Sequence, residues 1–351
     1  RGTPETRDPP PRPNEDILHE FRADGMDTGY ACDKRDTPEN TPTTIPPRKL
    51  NTHYARFAST GGGKSVSLIN DIISLYEDTS GPTILIDPKS DGMAKRYLQA
   101  HFERFGEQDL RDNVYYFDMP DTIPGFTFFD IRSDIQAGMS RVDAMQNKAD
   151  HYDEIMQFVM RGEDYNDSKV APTLLSAFIK SLFDEEYGDR QYEGTDIDRT
   201  RESPDYFTHN DLEHVAEELK RYQNTQGMET DGQTRTGSIP ETSDPRIKRT
   251  LMRHVESQGT DFETIINAVF NRLDYIREDT HLRKIFDNTN NAFDFRDHLN
   301  EDCVILFDLG GLPDEASNIM TVIILTHLWD ARETHDEHSC NAGHALPPHR
   351  H

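Results

Sequence analysis

Apolar positions along this chain follow two rhythms. Between residues 53 and 117, short β-branched or aromatic runs alternate with stretches whose apolar residues recur every three or four positions. His53-Tyr54-Ala55-Arg56-Phe57 reads as a short strand. Leu68, Ile69, Ile72, Ile73 and Tyr76 then share one face of a helix. Gly81-Pro82 turns the chain, and residues 83–86 form an apolar strand that runs into Asp87-Pro88-Lys89. A helix is predicted over 91–105, and a third strand over 114–117 that ends at Asp118. Strand and helix alternating at this spacing imply a parallel sheet with right-handed crossovers, an α/β fold.

From about residue 134 to 290 the rhythm is helical. Residues 171–183 form an apolar helix with Pro172 in its first turn. A second helix covers 211–222, with Asn210 as its expected cap. Residues 223–245 are polar and rich in Thr, Gly and Pro, and read as a loop. Phe262, Ile265, Ile266, Val269, Phe270, Leu273 and Ile276 make one continuous stripe, which predicts core packing. The strand rhythm returns at 303–307, ending in Asp308, and a buried helix is expected over 319–329. Residues 1–47, with Pro9, Pro10, Pro11 and Pro13, read as a flexible arm. The expected organisation is therefore an arm (1–47), the first part of a sheet domain (48–133), a helical insertion (134–295) and a return to the sheet domain (296–351).

Charge complicates any expectation of a polyanionic partner. The chain carries 65 Asp and Glu against 38 Lys and Arg, a net charge of -27. Nucleic-acid binding usually leaves a basic footprint. Disorder is one reading of such an acid excess. The acids are instead spread between well-patterned apolar segments, which favours a hydrated acidic surface of the halophilic kind and a haloarchaeal source. A local basic groove can persist under that average charge. Cys32, Cys303 and Cys340 are far apart and form no CxxC motif, so a reducing, cytoplasmic setting is expected. No apolar run reaches the length of a membrane span. The chain starts at Arg1, so an upstream membrane anchor belonging to a longer protein is an open expectation.

The densest chemistry lies at Ala58-Ser59-Thr60-Gly61-Gly62-Gly63-Lys64-Ser65. This fits G-x-x-x-x-G-K-[ST] except that Ala58 replaces the first glycine. Consecutive glycines let backbone N–H groups curl around phosphates. Lys64 would reach the β- and γ-phosphates, the Ser65 hydroxyl would ligate Mg²⁺, and the following helix aims its positive end at the anion. Thr60, Gly61, Gly62, Gly63, Lys64 and Ser65 are thus candidate ATP-binding residues. Asp87 and Lys89 join them, because ligands bind at the carboxyl ends of strands in open α/β sheets. A structural role for Asp87, through hydrogen bonds, stands beside the catalytic one.

The loop resembles the GxTGSGKS loop of the HerA/FtsK class of DNA-pumping ATPases. Ile84-Leu85-Ile86-Asp87-Pro88-Lys89 is similar to the strand of that class that ends in D-P-K. Residues 168–183, followed by Asp184-Glu185-Glu186-Tyr187-Gly188, resemble the helical insertion of TraG/TraD-type coupling proteins of conjugation, as used in type IV secretion. Val304-Ile305-Leu306-Phe307-Asp308-Leu309-Gly310-Gly311-Leu312 resembles a later strand of the class. The resemblance spans about residues 48–330. It implies a RecA-like P-loop fold, hexameric rings, ATP hydrolysis with Mg²⁺, threaded DNA, and a relaxase or membrane secretion channel as partner. It also implies a further strand with an acidic pair that polarises the attacking water. That strand is expected after residue 351, so these residues are expected to bind ATP and to lack the catalytic glutamate. Arg272 is weighed as a trans-acting finger against a surface residue paired with Asp274 or Glu278, and the surface pairing is favoured. His335, His338, Cys340, His344, His349 and His351 lack zinc spacing and read as a solvated linker. Two alternatives stand beside the coupling motor: a HerA-like DNA-processing translocase, and a nucleotide-binding interaction module that does not hydrolyse.

Overall fold

The computed structural model describes residues 26–32, 38–46, 49, 62–89, 92–160, 170–188, 204–225, 237–256 and 260–342. The chain divides into two compact units. One comprises Arg1–Tyr116 and Asn300–Asp308, the other Phe117–Leu299 and Leu309–His351.

In the first unit, β1 (Met26–Cys32) pairs antiparallel with β2 (Pro38–Ile45). The Pro-rich composition reads as an arm without regular elements, and this hairpin corrects that reading over its own residues. Prolines are tolerated because each strand of a two-stranded ribbon keeps one unpaired edge. Pro38 and Pro42 sit opposite Cys32 and Tyr30, flanking a register irregularity. The Thr28 hydroxyl bridges the strands by donating to the Thr43 carbonyl at 2.8 Å. The expected strand over 53–57 lies outside the described residues.

The same unit contains α1 (Lys64–Asp78), β3 (Thr83–Asp87), α2 (Met93–Phe105), α3 (Glu107–Asn113), the start of β4 (Val114–Asp118), and β5 (Val304–Asp308). The sheet order is β3-β5-β4, with β3 and β5 parallel and in register from Thr83↔Val304 to Asp87↔Asp308. The central position of β5 explains its unbroken apolar run, because a strand paired on both edges and covered on both faces has no polar side. Leu85, Val304 and Leu306 lie on one face, and Ile69 and Ile72 of α1 pack there with Met93, Ala94 and Tyr97 of α2. The helix expected over 91–105 begins at Met93 and ends at Gly106, whose φ of 93° breaks it; α3 then begins as a separate helix.

The second unit is helical. It contains α4 (Arg132–Gln136), α5 (Arg141–Val159), α6 (Ala171–Leu182), α7 (His209–Thr225), α8 (Pro245–Glu256), α9 (Thr260–Glu278), α10 (Thr280–Phe286), α11 (Phe295–His298) and α12 (Asp314–Ala342). Leu174, Leu175, Phe178, Ile179 and Leu182 bury the apolar face of α6, and Phe262, Ile266, Val269, Leu273 and Ile276 bury the stripe of α9. Asn210 does not cap α7. Thr208 does: its hydroxyl accepts the Asp211 N–H at 3.4 Å while the Asp211 carboxylate accepts the Thr208 N–H at 2.6 Å, a reciprocal capping box. Asn210 lies inside the helix and binds Asp287. α12 is longer than the apolar stretch 319–329 and is not buried all round, since Trp329 is 57% exposed. The tail expected to be a linker is helical as far as Ala342, while His344, His349 and His351 lie outside the described residues. Among the described residues no helix is long and apolar enough to cross a membrane.

Candidate nucleotide site

Gly62, Gly63, Lys64 and Ser65 are described; Thr60 and Gly61 lie outside the described residues. Gly63 forms the N-cap of α1 with φ 75°, in the left-handed region. A Cβ there would meet nothing within 4 Å, so backbone conformation and not crowding selects glycine. The Gly63 carbonyl accepts the Ser67 N–H at 2.9 Å and closes the first turn. No side chain caps this end, and the first turn holds no acid. A fifteen-residue helix thus presents its positive end with no negative group of its own near it. Gly62, Gly63 and Lys64 are exposed, and Ser65 is half-buried. A helix N-terminus of this kind, entered through a left-handed glycine, fits a phosphate.

At the carboxyl end of the sheet, the register sets Asp87 of β3 beside Asp308 of β5. Side chains alternate along strands, so both share the face of Leu85 and Leu306, the one α1 and α2 cover. Asp87 is 2% exposed. Its Oδ1 accepts the Lys89 N–H and its Oδ2 the Ala94 N–H, each at 3.2 Å. One carboxylate therefore ties the end of β3 to its own turn and to the first turn of α2. Asp308 accepts the Tyr116 hydroxyl at 3.2 Å. Lys89 is exposed. The strand-end acids were visible in the sequence; their pairing across the sheet and the Tyr116 contact were not.

Arg272 is elsewhere. It is 1% exposed, inside the second unit, and its Nη1 donates to the Ala268 carbonyl one turn back at 2.8 Å. Neither a surface pairing nor a finger extended toward a second subunit matches that placement. Asp274 pairs instead with Arg277. A charged residue within an apolar stripe reads as a surface position, because burial of an arginine leaves no mark in the pattern.

Two buried polar networks escaped the sequence reading altogether. In the first unit, Asp109 of α3 accepts from the Tyr76 hydroxyl at 3.0 Å and from His101 Nε2 at 2.7 Å, while His101 Nδ1 meets the Tyr97 hydroxyl at 3.1 Å. The network links α1, α2 and α3. Burial, then Asp109, pushes the Tyr76 hydroxyl up to about 12. Its signal was the i, i+4 series Tyr97, His101, Phe105.

In the second unit, Lys148 of α5 is buried between Asp330 at 3.4 Å and Asp134 at 3.6 Å, and Arg296 donates to Asp134 at 2.5 Å. Burial pulls the Lys148 ammonium down, but the two carboxylates raise it further than burial lowers it. His327 stacks on Phe126 with ring centroids 4.8 Å apart. Burial, then Lys148, His151 and Arg296, hold it well below the usual histidine value and therefore neutral. Cys303 is buried, and burial followed by Glu301 and Asp302 pushes its thiol up to about 11, which leaves it unreactive.

A family model described as "Helicase HerA, central domain" matches residues 35–328. No curated protein and no solved structure matches the chain.

Proposed function

The chain belongs to the HerA central-domain family of P-loop ATPases, and from that premise we propose that it is the ATP-binding part of a DNA-translocating motor. The observation that carries the reading is the N-terminus of α1, which no side chain caps, entered through Gly63 at φ 75° and followed by Lys64 and Ser65. Thr60 and Gly61 through Gly63 would wrap the phosphates with backbone N–H groups. Lys64 would neutralise the β- and γ-phosphate charge, and the Ser65 hydroxyl would hold Mg²⁺, which when bound draws charge off the transferred phosphoryl group. Asp87 positions the turn carrying Lys89 and the start of α2 through its two backbone bonds. Asp308 lies beside it on the same edge. DNA is the proposed track and a homo-hexamer the proposed assembly.

The finer proposal is a coupling-type motor of conjugation, with a relaxase or secretion channel as partner. The helices α5 to α10 between β4 and β5 support it, because they place a large helical segment where coupling proteins carry one. Nucleotide binding measured for the wild type and Lys64→Ala, with Mg²⁺ in high salt, tests the site. Binding is expected for the wild type and not for Lys64→Ala. Equal binding by both overturns the assignment of this loop. DNA-stimulated turnover in the same samples would show that an acid within these residues completes catalysis.

A further inference from the structure

In a chain of net charge -27, one helix runs against the average. α8 carries Arg246, Lys248, Arg249 and Arg253, all exposed, and a single acid, Glu256. Its other face buries Ile247, Leu251, His254 and Val255 against the second unit. Positions three and four apart are neighbours on a helix, so Arg246, Arg249 and Arg253 form one exposed stripe about 10 Å long.

These cations lie together on one face without counter-charges. Several exposed arginines elsewhere in the described residues pair with carboxylates: Arg104 with Glu77, Arg111 with Glu107, Arg221 with Glu218, Arg283 with Asp287. Among the described residues no ion pair is found for Arg246, Lys248, Arg249 or Arg253. Four such cations on one short helix, in a chain with this many carboxylates, make the face distinct. Helix stability does not account for it either. Arg246 and Lys248 occupy the first turn, which holds no acid, and there the helix dipole disfavours positive charge.

Of the acids around the neighbouring groove, Glu185 is exposed, whereas Asp184 and Asp244 are engaged in the fold. The Asp244 carboxylate caps α8 by accepting the Arg246 N–H at 2.7 Å. Asp184 accepts the Ser243 N–H and hydroxyl, each at 2.8 Å, and the Thr242 hydroxyl at 3.0 Å. Beside the stripe, Arg246 and Thr250 line a groove of about 510 Å³ to which α6 contributes Lys180.

We infer that the exposed face of α8 is a contact for the phosphate backbone of DNA. The inference rests on the DNA-motor reading and adds the surface that holds the track. Duplex DNA carries one charge per about 1.7 Å of axis, so a stripe of this length meets several phosphates without reading sequence.

The test is fluorescence anisotropy with a labelled DNA duplex over a series of KCl concentrations. It compares the wild type, Arg246→Gln/Arg249→Gln/Arg253→Gln, and Arg104→Gln/Arg111→Gln/Arg283→Gln as a control for total charge. Circular dichroism verifies that each is folded. The α8 variant is expected to bind more weakly, with a log–log salt slope reduced by about 2–3, so that its deficit widens about 20-fold for each threefold drop in salt. The control is expected to match the wild type, and a triple Arg→Lys variant to keep the wild-type slope. Wild-type binding with an unchanged Gln variant overturns the α8 contact and leaves the motor reading standing. No DNA binding by the wild type overturns both, while nucleotide binding still reports on Lys64 independently. A Gln variant that keeps DNA but loses binding to poly-glutamate would make the face a protein-docking surface and overturn the inference.

Discussion

Asp87→Ala separates the two roles open to a strand-end acid beside a phosphate loop. The carboxylate accepts two backbone N–H groups, from Lys89 and Ala94, and Ala94 is fully buried at the start of α2. A hydrogen bond to a charged group contributes about 1.5–3 kcal/mol, and an abandoned buried donor costs about 1–3 kcal/mol. Both bonds are long at 3.2 Å, which argues for the lower end of each range, about 3 kcal/mol for the alanine variant in total. Asp87→Asn keeps one carbonyl acceptor and is expected to lose about half as much. Because the chain has two compact units, one global unfolding midpoint is a poor readout. Amide hydrogen exchange resolved to peptides is better, since it reports local opening free energies. Exchange should rise in the peptide covering α2, in the order Ala, Asn, wild type, with α6 and α9 of the other unit unchanged. An alanine variant with wild-type exchange in α2 but lost nucleotide binding would refute the reasoning and assign Asp87 to the nucleotide site.

Three further outcomes follow from the networks and the charge. Lys148→Met removes the cation between two buried carboxylates and is expected to destabilise the second unit by about 3–5 kcal/mol, read by amide hydrogen exchange in the peptides covering α5 and α12. His327 has a folded pKa depressed below its ordinary 6.5, so its stabilising neutral form is fully present above 6.5 and lost as pH falls toward the folded value; His327→Gln should flatten the stability profile below pH 6.5. Lowering KCl from about 1 M to 0.1 M lengthens the screening distance from about 3 Å to 10 Å, and with a net charge of -27 amide hydrogen exchange should rise in the core helices of both units; unchanged exchange would sink the halophilic reading.

Elements with an unambiguous period are legible in the sequence. β3 and β5 ended at Asp87 and Asp308 as their apolar runs indicated, and α6 and α9 lay where spacing placed them. What was not legible depended on partners far along the chain. The β1–β2 hairpin was obscured because its prolines are harmful only in strands paired on both sides, and composition cannot reveal how many neighbours a strand has. Arg272 looked exposed because burial of a guanidinium depends on the helices around it. The Lys148 cluster joins residues 134, 148, 296 and 330, which no local pattern connects.

Charge shows the same dependence on placement, and it reverses a conclusion. A net charge of -27 argues against DNA only if the acids and bases are mixed evenly at the scale that a phosphate senses. That scale is the screening length, about 3 Å in molar salt and 8 Å at physiological strength. The described arginines outside α8 that pair with carboxylates are locally neutralised, so adding acids near them changes little at the α8 face. The three arginines of α8 have no such partners among the described residues. In concentrated salt, repulsion from distant carboxylates is screened before it reaches a phosphate on that face, while the short-range contact is retained. An acidic chain adapted to high salt can therefore keep a positive stripe whose sign is set by its own few ångströms of surroundings. The quantity that decides polyanion binding is the local pairing state of each cation, which folding sets and which a sum over the sequence cannot contain.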